Sequence, residues 1–214
     1  MTTKIFNNSF YHLIRPLDTR LLDAAERLDP YPDQEFSWGE GCSVEKERFY
    51  RDEMVPSLVF WGREFMKEIG FQIHLEIRDI WKNTYRRGSF QEPRDYPNSD
   101  LSAVIFLDDY IPGEGGQFYF INRHRSELGR VWGELFGMSG ENHYIDYKRG
   151  DMLCFPSYML HGVTPYNISR WDDIVKKKRK RTISINMDLD PGPPWEGSVS
   201  EDLYKEAMRI EFNK

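Results

Sequence analysis

The second part of this chain is a series of short, mostly apolar runs separated by turn residues, a pattern that strongly constrains the fold. Between residues 71 and 190 the runs are FQIHLEIRDIWKNTY, LSAVIFL, GGQFYFI, NHYIDY, DMLCFP and RTISINMDL. They are rich in β-branched and aromatic residues, and no helical segments alternate with them, which favours antiparallel sheets over a parallel α/β fold. We therefore predict a mainly β (α+β) fold, a double-stranded β-helix or jelly roll.

Residues 1–70 are predicted to support this core with helices. Asp18 can cap a helix over LDTRLLDAAERL, in which Leu21, Leu22, Ala25 and Leu28 share one face. A second helix is predicted to begin near Pro56 and to end near Gly70, because proline is favoured in a first helical turn and glycine after the last.

The length of 214 residues fits a single domain better than two. We therefore expect one domain, residues 1–214, with the jelly-roll core at residues 71–190. Residues 191–214 are predicted to form a tail, in which PGPP is a stiff break and Ser200 can cap a short last helix.

Composition and charge exclude several classes of protein. The formal net charge of -6 argues against a general nucleic-acid binder, which needs a positive surface to displace counterions from phosphates. No run approaches the length of a membrane span, and the start has no signal-peptide pattern, so we expect neither membrane insertion nor secretion.

Cys42 and Cys154 are the two cysteines, and Cys154 lies in an apolar run. We expect Cys154 to be a buried free thiol rather than part of a disulfide, as in a cytoplasmic protein.

A basic run, KKKRKR, extends from Lys176 to Arg181. It could be a phosphate-binding or localisation patch, but such a run is a weak signal in an acidic chain. We favour a solvated hairpin.

The most informative segment is GDMLCFPSYMLHGVTPYN, which places His161 at the end of an apolar strand. A single histidine in such a place is more often structural than functional. Its surroundings change this interpretation, because four strings follow one another in a fixed order: WKNTYRRGSFQ, SDLSAVIFLDDY, GEGGQFYF and GDMLCFPSYMLHGVTP, with RTISIN after them.

These strings resemble the iron(II) and 2-oxoglutarate-dependent oxygenases, in particular prolyl-hydroxylase-like members and uncharacterised members of tailed bacteriophages. The resemblance extends from about Ile80 to Asp188, roughly half of the chain. It implies a jelly roll in which iron activates dioxygen, 2-oxoglutarate is converted to succinate, and a C–H bond of a protein or small molecule is hydroxylated.

The resemblance implies iron ligands from two strands, a proximal pair two residues apart and a distal histidine, here His161. Alignment from Gly88 places Arg94 and Tyr96 at the proximal positions, and a shift by one residue places Asp95 at the second of them. Arginine has no lone pair for a metal, and tyrosine binds one only as a phenolate. The expected metal ligands are therefore at best His161 with Asp95, or with Tyr96 in the first alignment, a set too small for firm binding of Fe(II).

The same resemblance implies a basic residue that binds 2-oxoglutarate on the strand after His161. Arg181 is the best match, although strand alternation could instead direct Lys180 into the site. Tyr85 is the second implied contact with the co-substrate.

Three functions remain open from the sequence. We favour an oxygenase-like jelly roll with a degenerate iron site and little hydroxylase activity, serving as a binding protein or as a structural part of a virus particle. Its partners would then be other protein subunits, and its location a virion or the cytoplasm of a host cell. The alternatives are an active dioxygenase with a protein or small-molecule substrate, and a protein that binds 2-oxoglutarate or a similar diacid without iron.

Overall fold

The computed structural model describes residues 2–6, 9–14, 22–23, 44–48, 55–68, 74–122 and 142–190. The helices with defined ends are α1 (Val55–Glu68) and α2 (Arg170–Ile174). The strands, in chain order, are β1 (Thr2–Phe6), β2 (Ser9–Ile14), β3 (Val44–Arg48), β4 (His74–Tyr85), β5 (Gln91–Arg94), β6 (Leu101–Phe106), β7 (Phe118–Ile121), β8 (Asn142–Tyr144), β9 (Met152–Pro156), β10 (His161–Val163) and β11 (Lys180–Asp190).

These strands form two sheets. The larger has the order β1-β2-β9-β6-β11-β4-β3, and the smaller has the order β5-β10-β7-β8. All of the strand pairs within the described residues are antiparallel. Neighbouring strands come from distant parts of the chain, as in a jelly roll, and the predicted two-sheet fold is confirmed.

Helix α1 covers one face of the large sheet. Phe65 and Met66 of the helix join an aliphatic cluster with every second residue of β6, β9 and β11. Gly62 lets the helix approach closely, since a Cβ at this position would overlap the side chain of Leu75 on β4. Full burial of an aliphatic side chain contributes about 1.5–3 kcal/mol, so this cluster fixes which face of β11 points away from the small sheet.

The other face of the large sheet packs against the small sheet through an aromatic core. The rings of this core include Tyr85, Phe106, Phe118, Phe120, Tyr147 and Phe155. The side chains that β11 directs into this core are polar but buried: Lys180, Thr182, Ser184 and Asn186. Buried polar groups need hydrogen-bond partners, and these groups mark the candidate site.

Residues 1–70 contribute strands as well as a helix. Strands β1, β2 and β3 extend the large sheet, whereas the sequence analysis assigned only helices to this region. Such short strands are stabilised by pairing with distant strands, which a local pattern does not reveal. Helix α1 confirms the second predicted helix. Of the helix predicted from Asp18, only Leu22 and Asp23 are described, and both are helical; residues 191–214 lie outside the described part of the chain.

The basic run is largely neutralised by carboxylates, which favours the hairpin interpretation. Its ion pairs are Lys176–Asp172, Lys178–Glu114, Arg179–Asp173 and Arg181–Asp108, with N–O distances from 2.6 to 2.9 Å. The pair of the exposed Lys176 contributes little to stability, and the other three pairs are partly buried.

Cys154 is free and fully buried, as predicted, and burial raises the pKa of its thiol. Cys42 lies outside the described residues. Among the helices that the structure describes, none is both long and apolar enough to cross a membrane.

Candidate functional site

His161, the first residue of β10, is 2% exposed and lies among aromatic rings. Its ring centroid is 5.4 Å from that of Phe118 and 5.0 Å from that of Phe155. The Nδ1 atom is 2.8 Å from the carbonyl oxygen of Met159. Because a carbonyl oxygen can only accept, Nδ1 carries the proton of the neutral ring, and Nε2 keeps its lone pair.

Arg94, the last residue of β5, is the direct partner of His161 across the β5–β10 pair. Opposite residues of an antiparallel pair project from the same face, so Arg94 leaves the sheet on the side of the histidine. A bulge separates this pair from the next one, Val163 with Gln91. Arg94 is partly buried, and its Nε atom is shielded from solvent. A permanent cation therefore lies beside His161.

Tyr96 packs directly on His161, with ring centroids 5.1 Å apart, and meets Trp81 edge-on at 5.6 Å. Its backbone N–H donates to the carbonyl oxygen of Ser157 at 3.0 Å, which fixes the segment that follows β5. The structure therefore brings His161 and the segment of Arg94 to Tyr96 together, as the alignment predicted.

A narrow cavity lies between the sheets at this point. Among its lining residues are Tyr85, Gln91, Tyr96, His161, Thr182 and Ser184. Asp95 is not one of the lining residues. The free space is about 10 Å³, roughly the room for one water molecule. Tyr96 is partly exposed and the other lining residues are buried, so Tyr96 is the lining residue that borders solvent.

Lys180, the first residue of β11, is 3% exposed and surrounded by tyrosines. Its Nζ atom is 4.7 Å from the ring centroid of Tyr147, 5.5 Å from that of Tyr110 and 6.0 Å from that of Tyr166. A Cβ at Gly116 would lie 2.8 Å from Cδ and 3.1 Å from Nζ of the lysine. Gly116 and Tyr147 line the cavity, so the ammonium group lies next to its wall.

Burial lowers the pKa of Lys180 to about 8, and the negative charges of Asp108 and Glu114 offset only part of this effect. Both carboxylates are held by other cations, Asp108 by Arg181 and Glu114 by Lys178. The ammonium group of Lys180 therefore remains available to an anion that enters the cavity.

Arg181 points away from the cavity. Its backbone N–H, Nε and Nη2 all donate to the carboxylate of Asp108, at 2.7, 3.0 and 2.8 Å. The sequence left open which face of β11 points toward the cavity. In the structure Lys180 points inward, on the same face as Thr182 and Ser184. The geometry therefore does not support the preference for Arg181 as the cation of the cavity. Tyr85, the other predicted contact, lines the cavity.

Asn83 is the centre of a buried hydrogen-bond network on the cavity wall. Its Oδ1 accepts from Trp81 Nε1 at 3.1 Å and from Gln91 Nε2 at 3.2 Å. Its Nδ2 donates to Thr182 Oγ1 at 3.0 Å and to Ser184 Oγ at 2.9 Å. With two donors and two acceptor sites all used, the amide holds these four side chains in fixed positions.

No protein-family model matches the sequence, and no curated protein sequence does either. Solved structures do match. An oxidoreductase of the 2OG-Fe(II) oxygenase family from Burkholderia pseudomallei has a TM-score of 0.57 and 14% identity over 85% of each chain. The viral collagen prolyl hydroxylase of Paramecium Bursaria Chlorella virus-1, solved as a 2OG complex, has a TM-score of 0.53 and 14% identity over 83% of this chain and 94% of its own. A prolyl-4-hydroxylase from Pseudomonas putida has a TM-score of 0.54 and 13% identity over 83% and 92%.

The chain has the 2OG-Fe(II) oxygenase fold. Identities of 13–14% show the fold alone, and the chemistry must be argued from the side chains. In this fold His161 and Arg94 are paired across adjacent strands, and Tyr96, which follows β5, packs on His161.

In the part of the chain that the structure describes, the side chains at this site do not fit the iron of a 2OG-Fe(II) oxygenase. Ferrous sites of this kind use two imidazoles and one carboxylate on one face of the metal. His161 supplies one imidazole, but Arg94 and Tyr96 supply neither a second imidazole nor a carboxylate. Within the described residues no group of three His, Cys, Asp or Glu side chains could hold a metal ion.

The sequence analysis missed Asn83, Gln91, Gly116 and Tyr147 as parts of the site. Asn83 had a signal, because it is a polar residue between two aromatic residues of the same strand face, Trp81 and Tyr85. Gly116 and Tyr147 are far apart in sequence and meet at Lys180, where Tyr147 Oη donates to the carbonyl oxygen of Gly116 at 2.8 Å. Only the folded chain reveals this contact.

Proposed function

We propose that this protein is an oxygenase-like jelly roll with a degenerate iron site, little or no hydroxylase activity, and a cavity that binds a small carboxylate ligand of the 2-oxoglutarate type without iron. One observation carries the proposal: Arg94 lies opposite His161 at the position where a metal ligand would be required.

Two effects oppose iron at this position. Arg94 contributes no lone pair, and its fixed positive charge repels a dication nearby. Tyr96 could bind a metal only after loss of its phenolic proton, which in neutral solution is costly. His161 alone is a single ligand, and a lone imidazole holds Fe(II) weakly.

The cavity itself favours an anion. Lys180 supplies a buried positive charge, and hydrogen bonds to charged groups are strengthened when water is excluded. Thr182 and Ser184 accept from Asn83, so their own hydroxyl protons remain able to donate to a ligand oxygen. A carboxylate at Lys180 would thus meet an ammonium group, and the hydroxyl groups of Thr182 and Ser184 lie further along the same strand.

Entry of a ligand requires movement of a side chain, because the free space holds about one water. Tyr96 is the partly exposed lining residue, and its ring packs on His161 and meets Trp81 edge-on. We expect its ring to turn outward when a ligand binds.

Titration calorimetry with 2-oxoglutarate, in EDTA and then with Fe(II) under anaerobic conditions, tests the proposal. We expect the same affinity in both media, and a loss of affinity of about tenfold or more in Lys180→Met. Lys148→Met is the matched control, because Lys148 is exposed and also carries one positive charge. Binding that requires Fe(II) would contradict the proposal.

The second candidate is an active dioxygenase, which is favoured by the retained imidazole of His161, whose Nδ1 is fixed by the carbonyl oxygen of Met159. It would need ligands that the described residues do not offer, and it predicts iron-dependent conversion of 2-oxoglutarate to succinate.

A structural role in a virus particle is favoured by a different surface. Helix α2 and the residue after it expose Trp171, Ile174 and Val175, which are 64%, 57% and 53% exposed. Exposed apolar groups in a cluster often contact other proteins. Association of the purified protein, measured by light scattering, should decrease in Trp171→Ser if this surface joins subunits, and a monomeric wild type would contradict this role.

A further inference from the structure

Helix α2 has an exposed apolar side. Trp171, Ile174 and Val175 are spaced as i, i+3 and i+4, and Val175, the C-cap residue, still has helical backbone angles, so the three project from one side. They are 64%, 57% and 53% exposed, and no residue of α2 is buried. Large apolar side chains grouped at one exposed place mark a site of contact with a protein or a membrane.

Hydrogen bonds and an ion pair hold this side in position. The N-cap residue Ser169 accepts from the backbone N–H of Asp172 at 3.0 Å, and the N–H of Lys178 donates to the carbonyl oxygen of Asp172 at 2.9 Å. Lys178 also pairs with Glu114 at 2.6 Å, which fastens the chain after α2 to a neighbouring turn. Lys177, between α2 and β11, has a positive φ of 49°, which marks a tight turn. The apolar side is therefore presented by a defined structure at the start of β11.

Positive charge surrounds the apolar side, although the chain as a whole has a net charge of -6. Between Arg170 and Arg179, five basic residues accompany two acidic ones. Arg170 and Lys177 are exposed, and neither pairs with a carboxylate in the part of the chain that the structure describes. Arg170 precedes Ile174 by four residues, so it borders the apolar side directly. The surface is apolar at its centre and cationic at its edge, which complements an anionic surface.

The size of this surface fits a bilayer better than a folded partner. A stable protein–protein interface takes about 800 Å² from each partner. Since even a fully exposed aromatic side chain presents only about 150–250 Å², the three apolar side chains at their observed exposures present well under that area. A bilayer needs no such complementary area, because apolar side chains enter its headgroup region one by one, and the rings of tryptophan are favoured there.

We propose that the apolar side of α2 adsorbs to an anionic lipid bilayer. Trp171, Ile174 and Val175 enter the headgroup region, and Arg170 and Lys177 contact lipid phosphates. In this arrangement the surface contacts lipid rather than another copy of the chain. Adsorption of this kind needs no helix that spans the membrane, and it is reversible, because a few apolar side chains and two cations bind a bilayer weakly.

The negative charge on the rest of the chain does not prevent this contact. At physiological salt, charges separated by more than about 8 Å are largely screened, so the cations next to the bilayer dominate. Repulsion of the remaining surface then orients the molecule with α2 toward the lipid. Binding should therefore depend on anionic lipid and decrease as salt is raised.

The test is co-sedimentation of the full chain with vesicles of phosphatidylcholine alone and with vesicles that contain about 30% phosphatidylserine. We expect about tenfold tighter binding to the second set, and a loss of binding when salt is raised from about 0.1 M to about 0.5 M. Inorganic phosphate at constant ionic strength should not displace the protein. Equal binding to both sets of vesicles, or displacement by phosphate, would contradict the proposal.

Two variants remove the two parts of the surface. Trp171→Ser should weaken binding about tenfold, and so should Arg170→Gln with Lys177→Gln. Each has a matched control with an expected change of less than about twofold. Tyr144→Ser removes an exposed ring from β8, and Arg78→Gln with Lys67→Gln removes two exposed cations from β4 and α1. Near-ultraviolet circular dichroism checks that each variant is folded.

Vesicles of brominated lipid locate the contact. Bromine quenches tryptophan fluorescence at short range, so it should quench the wild type and quench Trp171→Phe much less, although this variant keeps an apolar ring and should still bind. If the wild type binds neither set of vesicles, or if Trp171→Ser binds as tightly as the wild type, the proposal is overturned. Self-association that Trp171→Ser abolishes, without vesicle binding, would assign the surface to contacts between copies instead. None of these variants changes a residue that lines the cavity, so the proposed function is tested separately.

Discussion

Arg94 lies directly opposite His161 across the β5–β10 strand pair, so a permanent cation and a buried imidazole leave the same face of the small sheet. In a metal site the partner of such a histidine would donate a lone pair, and a guanidinium group cannot. The fold is that of the 2OG-Fe(II) oxygenases, but this pair of residues is unsuited to iron. It therefore supports the proposal that the protein works without iron.

Replacement of Arg94 and Tyr96 by histidine should create an iron site. Arg94→His with Tyr96→His removes the repelling charge and adds two imidazoles beside His161, giving a three-histidine set. We expect anaerobic iron content to rise toward one per chain, with a smaller rise in Arg94→His alone. Addition of His161→Ala to the double variant should reverse the gain, and a double variant that binds no more iron than the wild type would show that these side chains do not converge.

Replacement of Lys180 by methionine should stabilise the protein at neutral pH while it weakens ligand binding. At pH 7 the lysine is protonated in both states, so the folded state bears the full cost of the buried charge, and we expect a gain of about 2 kcal/mol in the free energy of unfolding. Urea unfolding of both proteins at pH 7 measures this difference. A less stable Lys180→Met would show that the lysine serves stability rather than binding.

The same pair of proteins should differ in pH dependence. Burial lowers the pKa of Lys180 from 10.5 to about 8, so above pH 8 the folded state releases a proton that the unfolded state keeps up to about pH 10.5. Wild-type stability should therefore rise with pH across this window, relative to Lys180→Met. The raised pKa of Tyr147 acts in the opposite direction above pH 10, so the unfolding curves are best compared at pH 7, 8.5 and 9.5. Parallel pH profiles for the two proteins would contradict the burial of this charge.

Gly116 and Gly113 form a matched pair of positions for testing how closely the chain packs around Lys180. Both have positive φ, +65° and +89°, so alanine strains the backbone at either position, by about 1 kcal/mol. At Gly113 the new methyl group meets nothing within 4 Å, whereas at Gly116 it lies 2.8 Å from Lys180 Cδ. We expect Gly116→Ala to be more destabilising by a further 1–3 kcal/mol or so, by urea unfolding. This excess should disappear in a Lys180→Ala background, and equal effects at the two glycines would contradict the close packing.

The fold was predictable because its signal lies in strand alternation. Val104 and Ile105, for example, belong to an apolar run that is buried on both faces, as a central strand of two packed layers requires. The choice between Lys180 and Arg181 was not predictable in the same way. Both faces of β11 are buried, so alternation shows two sets of side chains but not which set faces the small sheet. Helix α1, packed on Ile183 and Ile185, decides it.

The site was predictable only in part. Alignment placed Arg94 and Tyr96 beside His161, and the structure has them there. The cage of Lys180 was not predictable, because Tyr110, Tyr147 and Tyr166 approach the lysine from separate loops and strand ends, and such contacts leave no local pattern in the sequence.

The hydrogen bonds of Asn83 should matter more than those of an exposed asparagine. Asn83→Ala leaves the buried groups of Trp81, Gln91, Thr182 and Ser184 without their shared partner, and we expect a loss of about 3 kcal/mol in the free energy of unfolding. Asn167→Ala, at an exposed position, should change stability by less than about 0.5 kcal/mol. Similar losses for the two variants in urea unfolding would contradict the central role of Asn83.

The most direct test of the central claim is the iron content of the wild-type protein after anaerobic reconstitution with Fe(II), measured together with the succinate that it forms from 2-oxoglutarate with and without candidate peptides. Because His161 is the single suitable ligand that the described site offers, we expect far less than one iron per chain and little succinate. A wild-type protein that holds nearly one iron per chain and converts 2-oxoglutarate to succinate would contradict the degenerate site and establish an active oxygenase.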